Sequence, residues 1–259
     1  MRTVVSADGT KIVFDLAGAG PPVILVVGAF NDRSTGAPLA QALQSQLTVL
    51  NYDRRGRGAS GDIQPYSVER EIEDLDALIR EAGGAARVFG YSSGGNIALE
   101  GAASGLNITR LAIYEAPFIV GEDIPRPPKD MAAQLARLVS LGRRGDAVEL
   151  FQTKLVGIPE TVVAQMRNAP FRPALEATAH TLVYEATIVG DLTLPTEKLR
   201  SIKAPTLAVY GSASPAFMGN AAKALAAAIP GGRVRALDGQ THDIVPAALA
   251  PVLLEFFGD

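Results

Sequence analysis

Residues Arg87 to Ala98 read RVFGYSSGGNIA. The apolar pair Val88-Phe89 leads into Gly90-Tyr91-Ser92-Ser93-Gly94, and a small-residue helical pattern follows at once through Gly95, Asn96, Ile97 and Ala98. The stretch reads as strand, sharp turn and helix, with Ser92 at the apex. A serine hydroxyl is a weak nucleophile at neutral pH, so a catalytic serine must stand clear of the backbone, near a base and near backbone N–H donors. A turn of this kind supplies that exposure. It needs glycine at 90 and 94, since a Cβ at either place would collide where strand and helix approach each other. The pentapeptide alone is a weak signal in a chain with 26 glycines, and its strand-to-helix context is what makes it specific.

Outward from this turn, short apolar runs alternate with helical patterns. Val23 to Val27, Thr48 to Tyr52, Ile108 to Tyr114, Thr206 to Gly211 and Arg233 to Leu237 read as strands. Helices are expected over Ala37 to Gln46, Ser67 to Glu81 (with Ser67 as its cap), Pro215 to Ala228 and Ile244 to Phe257. Thr3 to Ser6 and Lys11 to Leu16 form a hairpin around Asp8-Gly9, so antiparallel strands open an otherwise parallel sheet with helices on both faces. From Phe118 to about Arg200 the pattern turns helical throughout: Asp130 to Leu141, Asp146 to Leu155, Glu160 to Met166 and Pro173 to Val189. Prolines border this stretch at 125, 127, 128 and 195, so it reads as a helical cap inserted between strands. The expected organisation is a core over residues 1–117, the cap over 118–200, and the rest of the core over 201–259.

At 259 residues the chain can bury one large core, and its 47% hydrophobic and 20% charged residues suit a globular protein. No apolar run is long enough to span a membrane, and the N-terminal stretch alternates like a strand with no apolar signal core. A cytoplasmic location is therefore expected. The net charge of −3 and the scattered basic residues argue against nucleic acid as a partner. With no cysteine and two histidines, thiol chemistry and thiolate or histidine-rich metal sites are excluded, and no cofactor is expected. Gly18-x-Gly20 is followed by two prolines and a strand where a dinucleotide loop needs a helix. Asp53 to Gly61, DRRGRGASG, lacks the Lys-Ser/Thr ending of a phosphate cradle and reads as a shaped loop pinned by arginine pairs. The chemistry thus falls to oxygen nucleophiles, carboxylates and His180 or His242.

Three motifs in order, Gly90-Tyr91-Ser92-Ser93-Gly94, Asn51 to Gly58 and Gly239-Gln240-Thr241-His242-Asp243, resemble the α/β-hydrolase fold with a helical cap. The resemblance covers essentially the whole chain. It implies Ser92 as nucleophile, His242 as general base, and the N–H groups of Ala29 and Ser93 as oxyanion donors. His180 lies in a cap segment and reads as structural. The family's usual acid, at the end of a Gly-x-x-Asp pattern, is replaced here by Ser214 in Gly211-Ser212-Ala213-Ser214. Some members carry a glutamate one strand earlier, which places the acid at Glu115; Asp243, Asp238 and loss of the acid are the alternatives. Phe30, Tyr91 and Phe118 are expected to contact substrate. The implied activity is a serine hydrolase acting on an ester, thioester or lactone of a moderately hydrophobic small molecule. A ligand-binding receptor, or a haloperoxidase, lyase or cyclase on the same scaffold, are the competing readings.

Overall fold

The computed structural model describes residues 1–121 and 124–258. A hairpin of β1 (Arg2–Val5) and β2 (Lys11–Ala17) opens the chain. Its turn is closed by Asp8, whose Oδ1 accepts from Thr10 N at 2.9 Å, while Gly9 takes a φ of 88°. There follow β3 (Pro22–Val26), α1 (Arg33–Leu43), β4 (Thr48–Tyr52), α2 (Val68–Glu81), β5 (Ala86–Tyr91), α3 (Ser93–Ala103) and β6 (Ile108–Tyr114). Next come α4 (Met131–Ser140), α5 (Arg144–Leu150), α6 (Glu160–Gln165), α7 (Arg172–Ala177), α8 (Leu182–Val189) and α9 (Thr196–Leu199). The core resumes with β7 (Thr206–Gly211), α10 (Ala216–Ala228), β8 (Arg233–Leu237) and α11 (Pro246–Gly258).

The eight strands form one sheet in the order β1-β2-β4-β3-β5-β6-β7-β8. Strand β2 runs antiparallel to both neighbours, and β3 to β8 are mutually parallel. The strand alternation divides the core in two. On β5, Val88 points into the layer of α2, α3 and α10, with Leu75, Ile97 and Leu225. Phe89 and Tyr91 point to the other face, where α1 and α11 contribute Leu39, Leu43, Leu253 and Phe257. All the parallel strands therefore end at one edge, where the loops carrying Ser92, Glu115 and His242 gather. No helix among the described residues is long and apolar enough to cross a membrane.

Several local expectations shift. Helix α1 begins at Arg33 rather than Ala37 because Asp32 caps it, its Oδ1 accepting from Ser34 N at 2.8 Å. Ser67 has the extended cap backbone of α2, but its hydroxyl makes no cap bond. The single helix expected over Pro173 to Val189 is broken into α7, a 3₁₀ turn at Ala179–Thr181, and α8. There the Thr178 and Thr181 hydroxyls donate to the carbonyls three residues back, Leu175 and Thr178, in competition with the helical ladder. Asp146 to Leu155 is helical throughout, but its last turn, Phe151–Leu155, widens to π geometry.

The inserted helices have a core of their own, built from Met131, Leu135, Val148, Phe151, Leu182 and Ala186. Both ends of the expected cap, Phe118 and Leu199, instead bury into the core of the sheet. The separately packed layer lies between them.

The arginine loop after β4 is buried, and its charges are paired. Arg54 is clamped by Glu71 through Nε and Nη2 at 3.1 and 2.7 Å, and Arg55 by Asp74 at 2.8 and 2.7 Å. Arg55 also reaches back to Asp8 at 2.9 Å, fastening the first hairpin to this loop. Burial pushes the Asp8 carboxyl up, but the hydrogen bonds from Arg55 and Thr10 and the Arg55 charge outweigh it and hold Asp8 at about 2, below the ordinary 3.8. A depressed carboxyl contributes stability that is present above its ordinary value and is lost as pH falls through about 2. Asp8→Asn, which keeps the turn acceptor and loses the charge, is expected to lower the urea midpoint at pH 7. The midpoints of wild type and variant should converge as pH is lowered from about 4 toward 2.

Candidate active site

Ser92 sits between β5 and α3 with φ 54° and ψ −130°, so its side chain projects from the tightest part of the turn. The glycines around it are required by contact. A Cβ on Gly90 would lie 2.6 Å from Gly95 Cα, and one on Gly94 only 2.2 Å from the carbonyl oxygen of Val26. A third close approach was not legible in the sequence: a Cβ on Gly28, at the end of β3, would lie 2.8 Å from Ser92 Cβ. Among the described residues the non-glycine positions at positive φ are Phe30, Ser92, Glu115 and Leu192. Two of them are Ser92 and Glu115 themselves, Phe30 adjoins Ala29, and Leu192 lines the cavity above the serine, so the backbone strain is concentrated here.

His242, on the loop between β8 and α11, places Nε2 3.2 Å from Ser92 Oγ. Its Nδ1 lies 2.7 Å from Oε2 of Glu115, the residue just after β6. A carboxylate can only accept, so Nδ1 carries the hydrogen toward Glu115 and Nε2 is left to accept from the serine hydroxyl. The carboxyl of Glu115 is fully buried and its other oxygen accepts from Gly211 N at 2.8 Å. Burial pushes this carboxyl up, but His242, the Ser214 hydroxyl and the Gly211 N–H together hold it below the ordinary range. Ser214, which stands where the sequence resemblance expects an acid, is thus a neighbour of this carboxylate. Asp243 lies beside the histidine with its carboxylate on the Thr241 hydroxyl, and Asp238 reaches Ser212.

The histidine loop is fastened from below. The Tyr114 hydroxyl donates to Thr241 O, and Ala213 N donates to Gln240 O at 2.9 Å. A Cβ on Gly211 would lie 2.2 Å from Gln240 O, so this loop rests directly on the end of β7. The Tyr91 ring packs 5.0 Å from that of His242.

Ser93 begins α3, where a first-turn N–H has no intrahelical partner, and Ala29 follows Gly28 beside Ser92. No hydrogen bond engages either N–H among the described residues. Ala29, Ser92 and Ser93 open together onto a cavity of about 640 Å³. Its apolar wall includes Phe151, Leu155, Val189, Leu192, Phe217 and Met218.

The three residues expected to contact substrate lie elsewhere. Phe30 stands behind the wall, edge-on to Phe151 with ring centroids 5.4 Å apart. Tyr91 points to the opposite face of the sheet beneath His242, as strand alternation requires. Phe118 is buried among core residues. His180 occupies the 3₁₀ turn before α8 and faces Asp62 at 3.8 Å, apart from Ser92 and its partners. Glu185 of α8, which sequence reasoning did not single out, is wholly buried and borders the cavity between Ala29, Ser93 and the arginine loop. A glutamate in an apolar run, Leu182 to Val189, was the available signal. Among the described residues no group of three or more His, Cys, Asp or Glu side chains is placed to hold a metal ion.

A model of the Alpha/beta hydrolase family matches residues 23–252. The chain belongs to that family. The solved structure of an α/β hydrolase from Sphaerobacter thermophilus DSM 20745 is 54% identical, covers 99% of this chain and 100% of its own, and has a TM-score of 0.93. A hydrolase from Pseudomonas aeruginosa PA01 is 26% identical over 100% of this chain and 98% of its own, with a TM-score of 0.75. The uncharacterized hydrolase YraK of Bacillus subtilis (strain 168) is 35% identical over 36% of this α/β hydrolase, a match spanning 35% of that curated relative.

The contact at Gly28 is directly testable. Gly28→Ala forces β3 and the serine turn apart and is expected to cost about 1–3 kcal/mol, the range for overpacking a close-packed site, measured by urea denaturation. A variant as stable as wild type would mean that the turn yields freely.

Proposed function

We propose that this α/β hydrolase is a serine hydrolase cleaving an ester, thioester or lactone of a moderately hydrophobic small molecule through an acyl-enzyme on Ser92. The observation that carries this reading is the continuous chain from Ser92 Oγ to His242 Nε2 at 3.2 Å and from His242 Nδ1 to Glu115 at 2.7 Å, beside two unengaged N–H groups. The apolar wall of Phe151, Leu155, Phe217 and Met218 favours an apolar acyl or alcohol group.

In this mechanism Ser92 Oγ attacks the carbonyl carbon while its proton passes to His242 Nε2, and the carbonyl π pair moves onto oxygen. The Ala29 and Ser93 N–H groups hold that oxyanion. On collapse the imidazolium returns the proton to the leaving alkoxide or thiolate. Water then attacks the acyl-enzyme, giving its proton to His242, and Ser92 recovers a proton as the acid departs. Glu115 keeps Nδ1 protonated and stabilises the imidazolium without taking the proton itself. Its depressed ionisation keeps it charged throughout the working range. The chain itself supplies nucleophile, base and donors, so the scheme calls on no cofactor. The receptor reading was motivated by Ser214, and the nearness of Glu115 to His242 removes that motive.

Ser92→Ala is expected to abolish both p-nitrophenyl ester hydrolysis and covalent labelling by a fluorophosphonate probe. Labelling at full extent in the variant would overturn the assignment. Glu115→Gln leaves the fold in place but removes the charge opposite the imidazolium, and kcat is expected to fall by roughly 10²–10⁴ with a much smaller change in KM. An unchanged kcat would take Glu115 out of the triad.

A further inference from the structure

We propose that Glu185 is a positioning residue for the oxyanion hole: from α8 it holds, through Arg54, the main-chain segment that carries the Ala29 N–H, and it lies beside Ser93, which carries the other donor. The inference rests on the serine-hydrolase reading of the site. Arg54 Nη1 donates both to Val27 O at 3.1 Å and to Glu185 Oε1 at 2.9 Å. Val27 is the last residue before Gly28-Ala29, so its carbonyl fixes the chain direction from which the Ala29 N–H projects. The guanidinium cannot swing away, because Glu71 grips its other edge through Nε and Nη2. The same Val27 oxygen abuts α3, where a Cβ on Gly94 would lie 2.7 Å from it.

On the other side, Ser93 borders the same cavity as Glu185, and its buried hydroxyl has no hydrogen-bond partner among the described residues. Glu185 Oε2 likewise has no hydrogen-bond partner among the described residues. Burial pushes the Glu185 carboxyl up, but the charges of Arg54 and Arg57, helped by the nearby Ser93 hydroxyl, hold it below the ordinary range. Arg57 supplies a second cation to Glu185 Oε1, so Arg54 and Arg57 balance Glu71 and Glu185 in a site without solvent. Buried ion pairs of this kind are weak evidence for added stability, since desolvation offsets much of the attraction. What this one does is geometric. It sits where α8, the end of β3 and the start of α3 meet, and Arg54 ties the Val27 carbonyl to it. Oxyanion donors act only when aimed at the developing charge, and displacement on the order of 1 Å costs about a hundredfold in rate.

The test uses the full chain and three readouts on wild type, Glu185→Gln and Ser93→Ala. These are kcat and KM on a p-nitrophenyl ester, the fluorophosphonate labelling rate of Ser92, and inhibition by a boronic acid that forms a tetrahedral adduct with Ser92. Glu185→Gln is expected to lower kcat, labelling rate and boronate affinity in parallel by about ten- to a hundredfold, and Ser93→Ala by about three- to tenfold. KM and the pH profile set by His242 should stay within about twofold, because the triad is untouched. Lowered thermal stability with kcat and boronate affinity retained would overturn the proposal and leave Glu185 as a structural ion pair. If Glu185→Gln does not fold, Glu185→Asp, which keeps the charge but draws it back from Arg54, decides by the same criteria. Failure of wild type to label at Ser92 would instead overturn the serine reading, and the proposal with it, before any variant is compared.

Discussion

The end of β3 and the first turn of α3 approach so closely that only glycine fits between them. Gly94 lies against the carbonyls of Val26 and Val27, Gly28 against Ser92 Cβ, and Gly90 against Gly95. Close packing at these three points leaves the chain one way to pass from β5 into α3, and that way forces Ser92 to a φ of 54°. The same contact brings Ala29 and Ser93 to either side of the serine. The exposed serine and the two unengaged N–H groups beside it are thus consequences of a single steric constraint on neighbouring parallel strands.

The carboxylate that meets His242 comes from the end of β6, while Ser214 occupies the place after β7 where the sequence resemblance expects an acid. The ends of β6 and β7 are adjacent in the sheet, so a carboxylate from either can reach a histidine on the loop after β8. Glu115 accepts from Gly211 N at the end of β7, and Ser214 on the following loop is a neighbour of its carboxyl.

Below the site, buried arginines do what hydrophobic packing cannot. Arg54 and Arg57 bind the inserted layer to the sheet through Glu185, and Arg55 binds the first hairpin through Asp8. Directed, fully desolvated pairs fix orientation as well as proximity. A purely apolar contact between α8 and the core would hold the layer down but would leave the carbonyl of Val27 without this donor.

His242 and Glu115 came into view through a family resemblance, whereas strand and helix periodicity and the Gly-x-Ser-x-Gly turn were enough to specify the parallel sheet, its inserted helices, the sharp turn at Ser92 and the arginine pairing of the loop after β4. These are local properties, written in period, spacing and the φ that only certain residues tolerate. The sequence by itself could not say that Tyr91 turns away from the cavity to underlie His242, that Phe30 backs Phe151 without reaching the cavity, or that Thr178 breaks a long helical pattern. Nor could it reveal that Glu185 meets Arg54 across 131 positions of the chain. Such facts depend on which faces meet once the layers close, and residues far apart in sequence acquire a shared environment only through that packing.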